Sequence, residues 1–225
     1  MERAVNTYLD IETLPSADPA VRDQLAARIK PPAAMKKADT IAKWEADDKP
    51  ALIDEAVAKT SFDGTYGSIC VIGLAFDNSD PIALMGNGRS ERDMLLQLMH
   101  TIDERCTSHS RPVFVGHNLH AFDLPFLWKR CVIHRVKPSP WIPFGVKPWS
   151  ERLADTMLMW DDRRDKSISL DALCRVLGVD TPKGDMDGSK VAAAWAEGRY
   201  ADVAAYCMAD VAATRECYRR MRFEA

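Results

Sequence analysis

The hydrophobic pattern changes character along the chain: short apolar blocks dominate the first half, and apolar residues at helical spacing dominate the second. The run from Ala4 to Thr13, AVNTYLDIET, is β-branched and aromatic, the composition of a strand. SICVIGLAF (Ser68 to Phe76) and PIALMG (Pro81 to Gly86) flank the turn residues DNSD, which predicts an antiparallel hairpin after the first strand. SERDMLLQLMHTIDERC opens with Ser90 and has Asp93 three residues on, a capping signal ahead of apolar residues at helical spacing. PVFVGHN reads as a buried strand running into a turn at Gly116 to Asn118. AFDLPFLWKRCVI reads as a helix whose Pro125 is tolerated in the first turn. From Ser169 onward SLDALCRVLGV, SKVAAAWAEG and YADVAAYCMADVAATRECYRRM predict helices, with Gly178 and Gly198 as stops.

Three strands, a helix, a strand and then helices is the order of an α/β mixed sheet with one hairpin-connected half. Residues 16–62 interrupt it with a polar stretch rich in Ala, Lys and Asp and broken by KPPAAM. That stretch is expected to be a helical insertion within a single domain spanning residues 1–225. The 225 residues, 47% hydrophobic and 28% charged, suffice for one sizeable core. No apolar stretch approaches the ~20 residues needed to span a bilayer, and acids stand where a signal peptide has its apolar centre. A soluble, cytosolic protein without membrane association is expected. The six cysteines lack the dense spacing of a disulfide scaffold and read as free thiols. Cys106 with His109 and Cys131 with His134 have zinc-like spacing, but neither pair lies in a compact Gly-rich knuckle, which favours buried or incidental residues.

A net charge of −3 argues against nucleic-acid binding through bulk electrostatics, yet the charge is unevenly placed. Residues 28–43 hold five basic side chains against Asp39, a local balance of +4. Residues 128–152 hold six against Glu151, a balance of +5, interleaved with Trp128, Trp141, Phe144 and Trp149. Cations with aromatics between them suit a single nucleic-acid strand; a solvated surface with Trp anchoring a Pro-rich loop is the other reading.

Acids at three places complete the picture. Asp10 and Glu12, two apart on the first strand, project from one face, where they repel unless a cation, a shared proton or water compensates. Asp123 begins a helix just beyond a strand's C-terminal end, where α/β proteins build their sites. Tyr206 and Asp210, four apart, share a helix face. Taken singly, each has a structural explanation: a hydrated strand end, a carboxylate complementing the helix dipole, a Tyr-to-Asp hydrogen bond.

Taken together, Asp10-x-Glu12, Asp123 within GHN-x4-D-x2-FL, and Tyr206-x3-Asp210 resemble the DEDD superfamily of 3′-to-5′ exonucleases in its tyrosine subclass. The histidine subclass would have His at position 205, where Ala205 stands. Within the superfamily the chain is similar to stand-alone exonucleases related to the proofreading domain of family B DNA polymerases. The segments SLDALCRVLGV and KGDMDGSKVAAAWAEG also look like the family's region between its second and third motifs.

The resemblance implies a ribonuclease H-like α/β fold and a two-metal exonuclease using Mg²⁺ or Mn²⁺. It would release nucleoside 5′-monophosphates from the 3′ end of single-stranded DNA. Asp10, Glu12 and Asp210 would hold the cation that activates water, Asp10 would bridge to a second cation, and Asp123 would act directly or through water. Tyr206 would orient the attacking water. Thr13 and Leu14 would hold the terminal nucleotide, Asn118 and Phe122 would contact backbone and base, and Lys183 would approach the metals or the scissile phosphate. Asp155 is read as structural support, and Lys36, Lys37 and Trp44 of the insertion as strand contacts. Two alternatives stay open, the same chemistry on RNA and a non-catalytic module binding a 3′ end or a polymerase. With no polymerase domain in the sequence, proofreading would need a polymerase or repair partner in trans.

Overall fold

The computed structural model describes residues 3–107, 109–161, 167–181 and 186–224. Its backbone forms two compact units, residues 13–68 and residues 1–12 with 69–225. The smaller unit holds α1 (Pro19–Arg28), α2 (Ala38–Asp47) and α3 (Lys49–Ala58), followed by a 3₁₀ turn at Lys59–Phe62. Asp18 caps α1 by accepting from the Ala20 N–H, and Pro19 occupies the first turn, where its missing N–H costs nothing. The buried Thr60 hydroxyl accepts from the Ser16 N–H and donates to the Val57 carbonyl. Trp44, expected to face a nucleic-acid strand, is 5% exposed. Its ring packs internally, since an indole without a bound partner is more stable out of water. Lys36 and Lys37 are exposed.

One five-stranded sheet has the order β3-β2-β1-β4-β5, with β1 at Arg3–Leu14, β2 at Ser68–Phe76, β3 at Ile82–Met85, β4 at Ser110–Gly116 and β5 at Leu153–Asp155. The DNSD hairpin forms, β2 and β3 pairing antiparallel from Val71 with Met85 to Leu74 with Ile82. Asp77, just past β2, bonds Asn6 near the start of β1, and Cys70 near the start of β2 bonds the Glu12 carbonyl. The two strands therefore run antiparallel. β1 and β4, and β4 and β5, are parallel. The sheet is thus mixed, as the ribonuclease H-like expectation requires. β5 and the short helix after it were not among the expected elements; three residues carry too little alternation to show in a sequence.

Alternation along the strands sorts side chains between two layers. Leu9 and Ile11 of β1, with Ile72 and Leu74 of β2, pack under α4 (Glu91–Arg105) and α5 (Asp123–Ile133), against Leu95, Leu98, Ile102 and Leu127. On the other face lie α6 (Thr156–Trp160), α7 (Leu170–Leu177), α8 (Val191–Ala196) and α9 (Tyr200–Met221). Tyr8, Ala75 and Val115 meet Val211 and Tyr218 of α9 there, the two tyrosine rings edge to face at 6.2 Å. Leu173 and Cys174 of α7 pack on Ala213 and Cys217. All six cysteines are free and buried. No helix among the described residues is long and apolar enough to cross a membrane.

A nearly buried ion pair fixes α5. Arg130 donates through Nε and a terminal nitrogen to the two carboxylate oxygens of Glu91, at 2.9 and 2.7 Å. Glu91 also accepts from the Ile69 N–H, and His134 lies 2.8 Å from it. His134 is thereby committed to this clamp rather than to the zinc-like pair with Cys131.

Gly73 fixes α9. A Cβ there would lie 2.8 Å from Val211, 2.9 Å from the Cys207 thiol and 3.2 Å from the Cys207 carbonyl, so only glycine lets helix and sheet approach this closely. Gly73→Ala is expected to lower unfolding free energy by about 1–3 kcal/mol in urea titrations, since the helix backbone must shift.

Candidate active site

The same alternation that buries Leu9 and Ile11 under α4 and α5 turns Asp10 and Glu12 toward α9. Asp10 accepts from the Cys207 thiol of α9 at 3.3 Å, and ligand atoms of Asp10, Glu12 and Cys207 lie within 4.8 Å of one another. Glu12 is 8% exposed, and its own carbonyl accepts from the Cys70 thiol.

Asp123 reaches the same place by way of β4. Parallel pairing of β1 with β4 sets their C-terminal ends side by side, and β4 ends at Gly116, where a Cβ would meet the Leu9 carbonyl at 3.0 Å and Leu119 at 2.7 Å. The chain can therefore turn tightly against β1. Asn118 adopts a left-handed φ of 63°, a conformation asparagine tolerates better than most residues. Asp155, at the end of β5, accepts from the N–H groups of Asn118, His120 and Met157. His117 bridges the Thr156 hydroxyl and the Ile168 carbonyl. A carbonyl only accepts, so Nε2 carries the hydrogen there and Nδ1 accepts from Thr156. Burial lowers the His117 pKa and keeps the ring neutral. At the end of this turn Asp123 opens α5, 2% exposed, and accepts from the Ile11 N–H at 3.1 Å. That N–H stands between Asp10 and Glu12.

The helix α9 supplies the third side. Tyr206 and Asp210 stand one turn apart, and the phenol lowers the Asp210 pKa against the larger effect of burial. The buried Oδ1 of Asp210 has no hydrogen-bond partner among the described residues. Burial is the main cause of raised pKa values throughout: Asp123 and Asp210 are each pushed up to about 7. Asp10 rises well above its ordinary range through burial and the charges of Glu12, Asp210 and Asp123, and Glu12 through burial and the charges of Asp210 and Asp123. Burial and the same acids raise the Tyr206 phenol, so it stays protonated.

Asp10, Glu12, Asp123, Tyr206 and Asp210 thus share one electrostatic neighbourhood. Thr13 and Leu14 continue β1 past Glu12, and the Thr13 hydroxyl donates to the Ser61 carbonyl at 2.7 Å. Asn118 presents its N–H to Asp155 rather than outward. Phe122 is half-buried, packing on the core beside Phe126 with ring centroids 5.7 Å apart. Lys183 lies outside the described residues. Cys207 is the residue that sequence reasoning did not single out; its only signal was its place on α9, one turn before Asp210 and next to Tyr206.

An unpartnered carboxylate oxygen beside clustered, mutually repelling acids matches what a hard divalent cation requires, oxygen ligands and negative charge. The donor set fits such an ion.

Residues 65–224 match the model of a family described as a predicted 3′-5′ exonuclease related to the exonuclease domain of PolB. Among solved structures the chain is similar to a family B DNA polymerase from the hyperthermophilic archaeon Pyrobaculum calidifontis. The TM-score is 0.59 at 14% identity, covering 97% of this chain and 24% of the polymerase chain. The chain therefore spans about a quarter of that polymerase, and at this identity the likeness is one of fold. No curated protein matches the chain.

In chelator, the raised acids bind protons more tightly in the folded than in the unfolded protein. Their penalty on stability is absent below the unfolded pKa near 4 and complete above the folded value near 7. Asp210→Asn removes one of these charges. The melting temperature of Asp210→Asn is therefore expected to gain on wild type as pH rises from about 4 to 7, measured by scanning fluorimetry in EDTA.

Proposed function

The chain belongs to the family of predicted 3′-5′ exonucleases related to the exonuclease domain of PolB, and from that premise we propose that it degrades single-stranded DNA from the 3′ end. It releases nucleoside 5′-monophosphates and uses the tyrosine variant of the four-carboxylate site. The observation that carries this reading is the gathering of the acids at one place: Asp10 and Glu12 beside Cys207 of α9, which also carries Tyr206 and Asp210, and Asp123 on the Ile11 N–H between them.

Hydrolysis forms a bond from a water oxygen to the terminal phosphate and breaks the bond from phosphorus to the upstream O3′, which leaves with a proton. Two divalent cations, Mg²⁺ or Mn²⁺, held by Asp10, Glu12, Asp210 and Asp123, would stabilise the negative charge on the attacking and leaving oxygens. The protein's own groups set the geometry. Asp10 and Glu12 are fixed by the strand, Asp10 further by the Cys207 thiol, and Asp123 by the Ile11 N–H. Tyr206, whose phenol keeps its hydrogen, acts as a hydrogen-bonding group that orients the water, not as a base. Thr13 and Leu14 hold the terminal nucleotide, Asn118 and Phe122 contact backbone and base, and Lys183 approaches the scissile phosphate. Residues 16–62 are an insertion in a single exonuclease domain, and a polymerase or repair protein is the partner in trans.

The test is a 5′-labelled single-stranded DNA beside an RNA of equal sequence, in Mg²⁺ or Mn²⁺. A ladder shortening from the 3′ end is expected on DNA, abolished by Asp10→Ala and slowed roughly 10²-fold by Tyr206→Phe. Faster loss of the RNA would reassign the substrate, and no metal-dependent shortening of either strand would leave a binding module.

A further inference from the structure

We infer that the apolar cavity on the outer face of α5 is a second nucleobase subsite. It would take an unstacked base upstream of the scissile bond against Trp128 and Phe144. The inference rests on the nuclease reading above and names a further part of its substrate site.

The cavity measures about 430 Å³ and is lined by His120, Leu124, Pro125, Trp128, Phe144 and Val146 among others. That size falls within the roughly 300–1,000 Å³ of small-ligand sites. Trp128 is 47% exposed, so part of its ring is open to solvent at the cavity. Its ring lies 5.4 Å from that of Phe144 at an interplanar angle of 59°. The two rings brace each other without stacking, which leaves ring face open to a planar ligand.

Position and charge identify the ligand. The helix that opens with Asp123 turns Phe126, Leu127 and Arg130 inward and Pro125, Trp128 and Lys129 outward. Trp128 stands five residues along from Asp123, about 7–8 Å of helix. Arg135, Lys137 and Lys147 are exposed in the flanking sequence, and the one acid of residues 128–152, Glu151, is paired with Arg111. An apolar, aromatic slot flanked in sequence by exposed cations, on the helix that opens with the candidate catalytic acid Asp123, suits a base with its phosphates outside. An apolar side chain of a protein would fill the slot but gives the cations nothing to meet. Every base has a π-face, so the slot would accept any sequence. It would also demand a base freed from pairing and stacking, which favours a single strand over a duplex.

The experiment uses fluorescein-labelled dT12 and a series carrying one abasic residue at successive positions, with binding followed by anisotropy in an Asp210→Asn background. One abasic position a few nucleotides from the 3′ end is expected to weaken binding roughly fivefold or more. Trp128→Ala should bind intact dT12 about that much more weakly and be indifferent to the abasic residue there; Trp128→Phe should restore the difference. A 5-iodouracil at that position should cross-link to the peptide carrying Trp128. A flat abasic scan, or a cross-link confined to other peptides, overturns the subsite and leaves the cavity to a protein side chain. Binding of dT12 without hydrolysis by wild type in Mg²⁺ or Mn²⁺ would overturn the exonuclease reading alone; no binding at all would overturn both.

Discussion

Like charges brought together out of water repel, and holding Asp10, Glu12, Asp123 and Asp210 in one neighbourhood is the constraint around which the larger unit is built. A fold that gained nothing from this cluster would be more stable with neutral side chains in its place. The acids are kept in place by groups with few alternatives. The Ile11 N–H is a backbone donor fixed by the strand, the Cys207 thiol is buried between helix and sheet, and Tyr206 is one helical turn from its partner. The buried Asp210 Oδ1 is left without a hydrogen-bond partner among the described residues.

The supports lie farther out, and they are mostly steric. Gly73 lets α9 settle against β2, which sets the height of Tyr206, Cys207 and Asp210 above the sheet. Gly116 lets the turn after β4 press on the Leu9 carbonyl, which brings Asp123 to β1. Asp155 gathers three N–H groups and thereby shapes the turn between β4 and α5, and the Glu91–Arg130 pair holds the far end of α5. Removing one partner of that pair would strand a largely buried charge, so it specifies where α5 sits more than it adds stability.

Membership in a nuclease family and the arrangement of the acids converge on one chemistry from independent directions. The family match covers residues 65–224 and so does not include Asp10 and Glu12. Their meeting with Asp123 and Asp210 is a property of the tertiary structure. The net charge of −3, which speaks against bulk attraction to nucleic acid, is reconciled with such a substrate by uneven placement along the chain: six basic side chains against one acid in residues 128–152.

The sequence by itself determined the elements long enough to repeat a pattern: β1, the β2–β3 hairpin, α4, β4, α5, α7, α8 and α9, together with the order of the acids along them. Those signals are local, carried by alternation, capping and helical spacing, and they survive without knowledge of neighbours. Residue spacing also gave the Tyr206–Asp210 pair, because four residues on a helix is itself a distance. Tertiary structure alone decided the rest. β5 is a strand only because β4 lies beside it, and Trp44, read as a surface contact, is buried. Cys207 joins the site because Gly73 across the gap has no side chain. Contacts between residues as far apart as Asp10 and Cys207 depend on how layers pack, and packing is set by the shapes of both surfaces at once, which no single stretch of sequence contains.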